Sequence, residues 1–404
     1  MRIAVAHWSN RQAGGTGTYL RTVLPGLARH HALAFVHELD APTDAAPLAL
    51  PEGAPIWCVG ASGLDPVLAA LRRWRPDVLF VNGLRDPGHE AALLDVAPAV
   101  MLAHDYHGTC ISGRKAFDVP TTRPCDRPFG PSCLVQYLPR RCGGRSPVTM
   151  LREYRRQAAR FALLRRYRRI VTLSSHLARE YARYGLPASC AWQVRAAGPA
   201  AGMPDAGPEP APPAPGEPWH LLFAGRTFAI KGGRELLLAL PAVAARLGRP
   251  VSLTIAGDGA DRPAWESCAR EVGARDPRVS VRFEGWVGPD AMARLFSGSH
   301  LLVVPSLWPE PLGLVGLEAG RHGVPAAGYA VGGIPDWLKP GVNGALAPGD
   351  PPTVGGLADA IIACLADPAT YVRLSAGARR LSADNPFGGH LEALLGIFDD
   401  VVRG

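Results

Sequence analysis

The stretch from His300 to Asp336 reads HLLVVPSLWPEPLGLVGLEAGRHGVPAAGYAVGGIPD. Leu301 to Val304 is a short apolar run of the kind that forms a buried strand. A loop with Pro305 and Pro309 follows, then Glu310 and Pro311. Proline suits the first turn of a helix, so a helix is expected over Leu312–Arg321. Glu310 and Glu318 are eight positions apart. On a helix that is about 12 Å, a little over two turns. Both acids then face one way, one at the helix mouth and one deeper. Gly313 and Gly316 remove side chains between them, which opens the backbone to a ligand. The predicted helix mouth at Gly313, Leu314 and Val315 offers bare N–H groups to a phosphate. Two acids beside such a mouth suit a ligand with both phosphates and hydroxyls, and a nucleotide sugar fits that description.

Strands and helices alternate on both sides of this stretch. In the second half, Trp219–Ala224, Val251–Ala256, Val279–Phe283 and Pro325–Gly328 read as strands. Gly233–Arg246, Asp290–Phe296, Thr353–Leu365 and Tyr371–Leu381 read as helices between and after them. In the first half the strands are Arg2–Ala6, Leu33–His37, Ile56–Val59, Val78–Asn82, Val100–Ala103, Ile170–Leu173 and Trp192–Arg195. A glycine turn with Gly14, Gly15 and Gly17 follows the first of them, and helical spacing begins at Thr18. Such alternation implies parallel sheets covered on both faces. Ala196–Pro218 breaks the pattern with PEPAPPAPGEP, which reads as a linker, with a proline-rich docking motif as the rival. The expected organisation is an α/β chain of two Rossmann-like domains, 1–197 and 218–385, joined by a linker at 198–217 and closed by a helix within 386–404. Ligands of open α/β sheets bind beyond the carboxyl ends of the strands, so the gap between the domains is the expected site.

The chain has 404 residues, 47% of them hydrophobic and 19% charged, which indicates packed cores rather than disorder. A formal charge of +8 points to an anionic partner without choosing among phosphate, lipid headgroups and nucleic acid. No apolar run reaches the roughly 18 residues that span a bilayer, and Met1–Ala6 reads as a strand rather than a signal peptide. A cytoplasmic location with reduced thiols is therefore expected.

Several motifs in order carry a resemblance. LLFAGRTFAIKGG (Leu221–Gly233), LTIAGDG (Leu253–Gly259), VRFEGWV (Val281–Val287) and EPLGLVGLE (Glu310–Glu318) resemble the second domain of the GT-B glycosyltransferases of family 4, retaining enzymes with a two-glutamate signature. GGTGTY (Gly14–Tyr19) is similar to that family's first glycine turn. The resemblance covers nearly the whole chain and is strongest over Leu221–Pro348. It implies two domains facing across a cleft, with the acceptor on the first, the nucleotide sugar on the second and the last helix crossing back to the first. It also implies transfer of a sugar from a nucleoside diphosphate donor to an acceptor hydroxyl, with retention, in polysaccharide or glycolipid synthesis. A sugar phosphorylase, a nucleotide-sugar epimerase and a non-catalytic assembly partner of the same fold are the alternatives.

The residues support the resemblance in their own chemistry. Arg226 and Lys231 follow a strand, and two cations there suit a diphosphate, Arg as a fork and Lys as a point charge. The resemblance assigns them to the leaving nucleoside diphosphate. It assigns Glu318 to the ribose hydroxyls, Glu310 to those of the donor sugar, and Gly15 to a backbone contact with the donor. His104 would contact the sugar or support the transition state, with Asp105 either orienting it or capping the loop. Trp286 and Val287 would border the base; Asp258 and Gly259 are expected near the same cleft. The chain has no Asp-x-Asp pair, so these cations and the helix mouth are expected to neutralise the leaving group without a metal. A glycosidase pair needs carboxylates about 5–9.5 Å apart, so the expected spacing of Glu310 and Glu318 argues against one. The plainer alternatives are a solvated surface pair for Arg226 and Lys231, a solvent-facing acid at Glu318, a simple turn at Gly14–Gly17 and a core histidine at His104.

Two features lie outside that scheme. Cys110, Cys125, Cys133 and Cys142 cluster in an aperiodic insert, 109–147, where a structural zinc site, disulfides and free thiols are all open. Arg152–Arg183 is rich in arginine with Leu163, Leu164 and Tyr167 interleaved. That pattern suits an anionic membrane surface and a lipid-linked acceptor, or simply a solvated helix face. It carries no aromatic platform or recognition motif for nucleic acid.

Overall fold

The computed structural model describes all residues except 13, 40–45, 187–190, 194–209 and 385–386. The chain forms two compact units. The first comprises Met1–Lys115, Asp126–Ala200 and Phe387–Gly404, and the second comprises Ala116–Cys125 and Ala201–Pro386.

The first unit begins β1 (Arg2–His7), α1 (Gly14–Ala28), β2 (Ala32–His37), β3 (Ile56–Cys58), α2 (Val59–Ser62), α3 (Leu64–Trp74), β4 (Val78–Val81), α4 (Pro87–Leu93) and β5 (Ala99–Ala103). A short hairpin, β6 (Ala116–Phe117) with β7 (Arg123–Pro124), follows and clusters with the second unit. Then come α5 (Ser132–Arg140), α6 (Pro147–Leu163), β8 (Arg169–Thr172), α7 (Ser175–Ala182) and β9 (Ala191–Gln193). The sheet order is β3-β2-β1-β4-β5-β8-β9, all parallel. All four residues of β4 are buried, as a strand covered on both faces requires.

The second unit contains β10 (Trp219–Ala224), α8 (Gly233–Leu247), β11 (Val251–Ala256), α9 (Arg262–Arg275), β12 (Val279–Gly285), α10 (Pro289–Ser297), β13 (Leu301–Val304), α11 (Val315–Arg321), β14 (Ala326–Tyr329), α12 (Ile334–Trp337), β15 (Gly344–Ala347), α13 (Val354–Leu365) and α14 (Pro368–Ala383). Its sheet order is β12-β11-β10-β13-β14-β15, again parallel throughout. In each sheet the winding reverses once, between β1 and β4 and between β10 and β13. These are the switch points beside which open α/β sheets bind ligands.

The last helix, α15 (Phe387–Arg403), packs with the first unit. The Phe398 ring meets Phe80 of β4 edge-on at 5.2 Å, and both are fully buried. His390 of α15 bonds the Tyr19 hydroxyl of α1 at 2.9 Å.

Four local expectations change. The helix after β1 starts at Gly14, so the three glycines occupy its first turn instead of preceding it. The helix expected over Leu312–Arg321 starts only at Val315, which leaves Glu310 in a loop. The insert 109–147 is not structureless, for it holds β6, β7 and α5. The expected strand Trp192–Arg195 shows as β9, Ala191–Gln193, and its end, like most of the linker, lies outside the described residues. The described end of the linker is held by Arg249, which donates to the carbonyls of Ala214 and Glu217, the latter at 2.7 Å.

Four of the arginines of 152–183, Arg156, Arg160, Arg166 and Arg183, are committed to partners within the fold. Arg160 is buried and donates to Glu90 at 3.2 Å and to the Arg85 carbonyl at 2.9 Å. Arg156 donates to the same carbonyl at 2.9 Å, and Arg166 pairs with Asp95 at 2.5 Å. Arg183 pairs with Glu180 at 3.0 Å. Among the described residues no helix is long and apolar enough to cross a membrane.

If α15 is part of the first unit's core, Phe398→Ala should cost about 3–5 kcal/mol. The urea midpoint of the variant is expected to fall accordingly; an unchanged midpoint would contradict this packing.

Candidate active site

The second unit's switch point brings two loops together. The loop after β10 runs through Arg226 to Lys231, and the loop after β13 runs from Pro305 to Leu314. Leu307 N–H donates to the Ile230 carbonyl at 2.8 Å and ties the loops. At Gly232, φ is +70°, and a Cβ would lie 1.8 Å from the Pro305 oxygen. Only glycine fits there. The loop after β14 closes the other side: a Cβ on Gly332 would lie 2.2 Å from the Glu310 oxygen, and Gly333 N–H donates to that oxygen at 2.6 Å.

This clamp sets the side chains. Lys231 Nζ donates to Glu310 Oε1 at 2.5 Å, and Ser306 Oγ–H donates to the same oxygen. Burial alone would raise the Glu310 pKa, but the Lys231 ammonium and these hydrogen bonds outweigh it. The carboxyl is held below its ordinary value and is ionised at neutral pH. Lys231 Nζ also lies 5.2 Å from the centre of the Trp308 ring. Arg226 is exposed, its guanidinium over the Phe228 ring at 5.1 Å. Sequence spacing set Glu310 beside Glu318; the structure sets it against Lys231. Ser306 and Trp308 carried no sequence signal of their own.

Glu318 sits in the first turn of α11, half-buried. The two intervening glycines do not both open a path to the backbone. A Cβ on Gly316 would fall 2.2 Å from the Trp337 ring, whose Nε1–H donates to the Leu312 carbonyl at 2.8 Å. Protein therefore fills the space at Gly316, and Trp337 holds the loop that precedes α11. The loops after β10 and β11 are also tied, because Thr227 N–H donates to the Asp258 carbonyl at 3.1 Å. Gly259 follows there, and its N–H donates to Asp258 Oδ1 at 2.8 Å. Trp286, just past β12, is 71% exposed, and Val287 is half-buried.

The first unit places His104 just past β5. Its Nε2 lies 3.0 Å from Asn82 Oδ1, past β4. Asn82 Nδ2 donates to the Phe80 carbonyl at 3.3 Å, which orients the amide with its oxygen toward the imidazole. Nε2 therefore carries the proton and Nδ1 keeps a lone pair. Burial, with His7 adding repulsion, pushes the His104 pKa down to about 3, so the ring is neutral. Tyr19 packs edge-on against it at 5.2 Å. Asp105 does not orient His104. It accepts from the His107 backbone N–H at 2.8 Å and pairs with the His107 ring, so it caps the loop. Gly17 is required by packing, as a Cβ would lie 2.8 Å from the Gln12 carbonyl carbon. Gly14 has φ +67°, and nothing lies within 4 Å of where a Cβ on Gly15 would stand. The Gly15 backbone is thus open at the start of α1.

The four clustered cysteines do not assemble a metal site. Among the described residues no three His, Cys, Asp or Glu side chains are placed to hold a metal, and no disulfide joins Cys110, Cys125, Cys133 and Cys142. The reason is α5. Cys133 lies near its start and Cys142 lies past its end. From Cys133 to the helix end at Arg140 there are seven steps of helical rise, about 10 Å, whereas a zinc ion holds each sulfur at about 2.3 Å.

Residues 209–381 match the family described as Glycosyl transferases group 1. This segment is a group 1 glycosyltransferase domain. It holds both loops of the Lys231–Glu310 pair. The chain is 35% identical over 152 residues to the D-inositol 3-phosphate glycosyltransferase of Streptomyces griseus, 34% of this chain and 31% of that protein. The chain spans less than half the length of the curated relatives it matches. Sucrose-phosphate synthase from Thermosynechococcus elongatus shares the fold with a TM-score of 0.68 at 17% identity, covering 100% of this chain and 99% of that one. Anabaena HepE, solved with UDP and glucose, does so with a TM-score of 0.66 at 16% identity, covering 98% and 99%. The fold beyond the group 1 domain is likewise of GT-B type.

Because the folded state lowers the Glu310 pKa, the ionised pair adds stability above the ordinary carboxylate value of 4.5 and loses it as pH falls through the folded value. Glu310→Gln should therefore be less stable than wild type by a steady margin at pH 5–7, with the gap closing in more acidic buffer. Urea titrations across that range check it, and a pH-independent gap would contradict the ion pair.

Proposed function

We propose that this protein is a retaining glycosyltransferase of family 4. It moves a sugar from a nucleoside diphosphate sugar to an acceptor hydroxyl in polysaccharide or glycolipid synthesis. The observation that carries the reading is the Lys231–Glu310 pair at the switch point of the group 1 domain. An ammonium suited to a diphosphate and a carboxylate suited to sugar hydroxyls stand one hydrogen bond apart, so one donor meets both.

The roles follow from charge. Lys231 and the exposed Arg226 meet the diphosphate and stabilise the charge that grows on it as the glycosidic bond breaks. Lys231 and Ser306 both donate to Oε1 of Glu310, and this held carboxylate takes a sugar hydroxyl. Glu318 takes the ribose hydroxyls, Gly313, Leu314 and Val315 line the phosphate path, and Trp286 and Val287 border the base. Gly15 offers a backbone amide to the donor. His104, neutral and with a lone pair on Nδ1, accepts a hydrogen bond from the donor sugar and adds no competing positive charge. With Arg226 and Lys231 in place, the leaving group has its countercharge and the transfer runs without a metal. The binding of UDP and glucose by HepE, which shares the fold, supports a nucleoside diphosphate sugar as the donor class.

A thermal-shift panel of UDP-, GDP- and ADP-sugars should single out one donor, since a ligand that binds only the folded state stabilises it by mass action. With that donor, Glu318→Ala should cut kcat/KM by roughly 100-fold or more. Full activity in the variant would remove this donor site. Turnover is also expected to survive a chelator; its loss, restored by a divalent cation, would overturn the metal-free scheme.

A further inference from the structure

The exposed face of α6 is unusual for a surface helix. The inward face is mixed: Gln157 and Arg160 are buried, Gln157 accepts from Gly108 N–H at 2.6 Å, and Tyr154 and Phe161 pack on Phe129. The outward face carries aliphatic side chains. Val148 is 76% exposed and Leu151 is 47% exposed. Val148, Leu151, Arg152 and Arg155 follow at helical spacing and form one exposed stripe.

α5, which packs against α6, repeats the feature. Val135 is 70% exposed and Leu138 is exposed beside it, while Tyr137 is buried with its hydroxyl donating to the Gly143 carbonyl at 2.7 Å. The turn between the helices exposes Arg141 and Arg145. Arg141, Arg145 and Arg155 make no ion pair among the described residues. No acidic residue occurs anywhere from 127 to 152.

We propose that the α5–α6 pair docks on an anionic lipid bilayer. The valines and leucines enter the boundary between headgroups and acyl chains, and the arginines meet the lipid phosphates. The charge supports this occupant. Apolar side chains with Arg141, Arg145 and Arg155 beside them, and Arg152 paired only with its neighbour Glu153 among the described residues, suit a surface that is apolar below and anionic above. A second copy of this face would set arginine against arginine. The docking element is α5 with the first turns of α6, not the whole arginine stretch to Arg183, because Arg156, Arg160, Arg166 and Arg183 are committed within the fold. The surface is read independently of catalysis; that it presents a membrane-borne acceptor to the enzyme rests on the transferase reading.

Flotation of the full chain tests this with vesicles of phosphatidylcholine alone and of phosphatidylcholine with phosphatidylglycerol, at physiological ionic strength and without donor or acceptor. Wild type is expected to float with the anionic vesicles only and to release at high salt. Val148→Glu with Leu151→Glu, and separately Arg141→Ser with Arg145→Ser, should each weaken binding about tenfold or more. All four positions are exposed, so circular dichroism and the thermal midpoint should match wild type and separate lost docking from lost folding. The proposal is overturned if wild type does not float, if the variants float as well as wild type, or if sedimentation shows that the patch instead joins two copies in solution. The donor panel is run without lipid, so failure here leaves the transferase reading standing, and failure there leaves this surface standing.

Discussion

Glycine 232 has no room for a side chain, and the candidate site depends on that. With the Pro305 carbonyl against it, the loops after β10 and β13 run closer than any other residue permits. Gly332 does the same from β14, pressing on the backbone of Glu310. The two contacts position the backbone from both sides, so the side chains need little freedom to meet. Lys231 and Glu310 then pair over a short span, with Ser306 adding a second donor to the same carboxylate oxygen. The glycines set this geometry from the backbone, an arrangement suited to stabilising charge that develops during a reaction.

The two units handle charge in opposite ways at the ends of their strands. In the second, burial of a carboxylate is offset by an ammonium, and the acid stays ionised. In the first, burial of His104 outweighs the attraction of the nearby Asp105 carboxylate, and the imidazole stays neutral. An amide, Asn82, holds the neutral ring without imposing a charge. Tyr19 braces the ring and is itself tied to His390 of the last helix. A chain end nearly three hundred residues away in sequence thus supports a residue that follows β5.

Much of this was legible in the residues. Apolar runs such as Leu301–Val304 and Val78–Val81 are too short and too continuous for anything but buried strands. Their alternation with helices implies parallel sheets, and the strands came out close to where the periodicity put them. The motif order from Leu221 to Glu318 pointed to a glycosyltransferase domain, and residues 209–381 match Glycosyl transferases group 1. Errors came where local rules compete with packing. Proline at 311 resembles a helix start, but the Trp337 indole holds the Leu312 carbonyl and delays the helix to Val315. Gly316 resembles an opening for a ligand, yet it makes room for that same indole. Four nearby cysteines resemble a metal site until a helix carries two of them apart.

The sequence by itself determined the class of fold, the loops that carry the charged residues, and the residue types available to a diphosphate and its sugars. Those follow from periodicity and composition, which are local properties of the chain. Only the tertiary structure decided which charges meet. Lys231 and Glu310 are 79 positions apart, and nothing in either segment names the other. Their pairing comes from strand order and from glycines that let three loops converge. The same holds for α6, whose arginines read alike in sequence. Folding buries one, commits others to carbonyls and acids, and leaves the remainder beside exposed valine and leucine, because which face of a helix turns inward is settled by what it packs against.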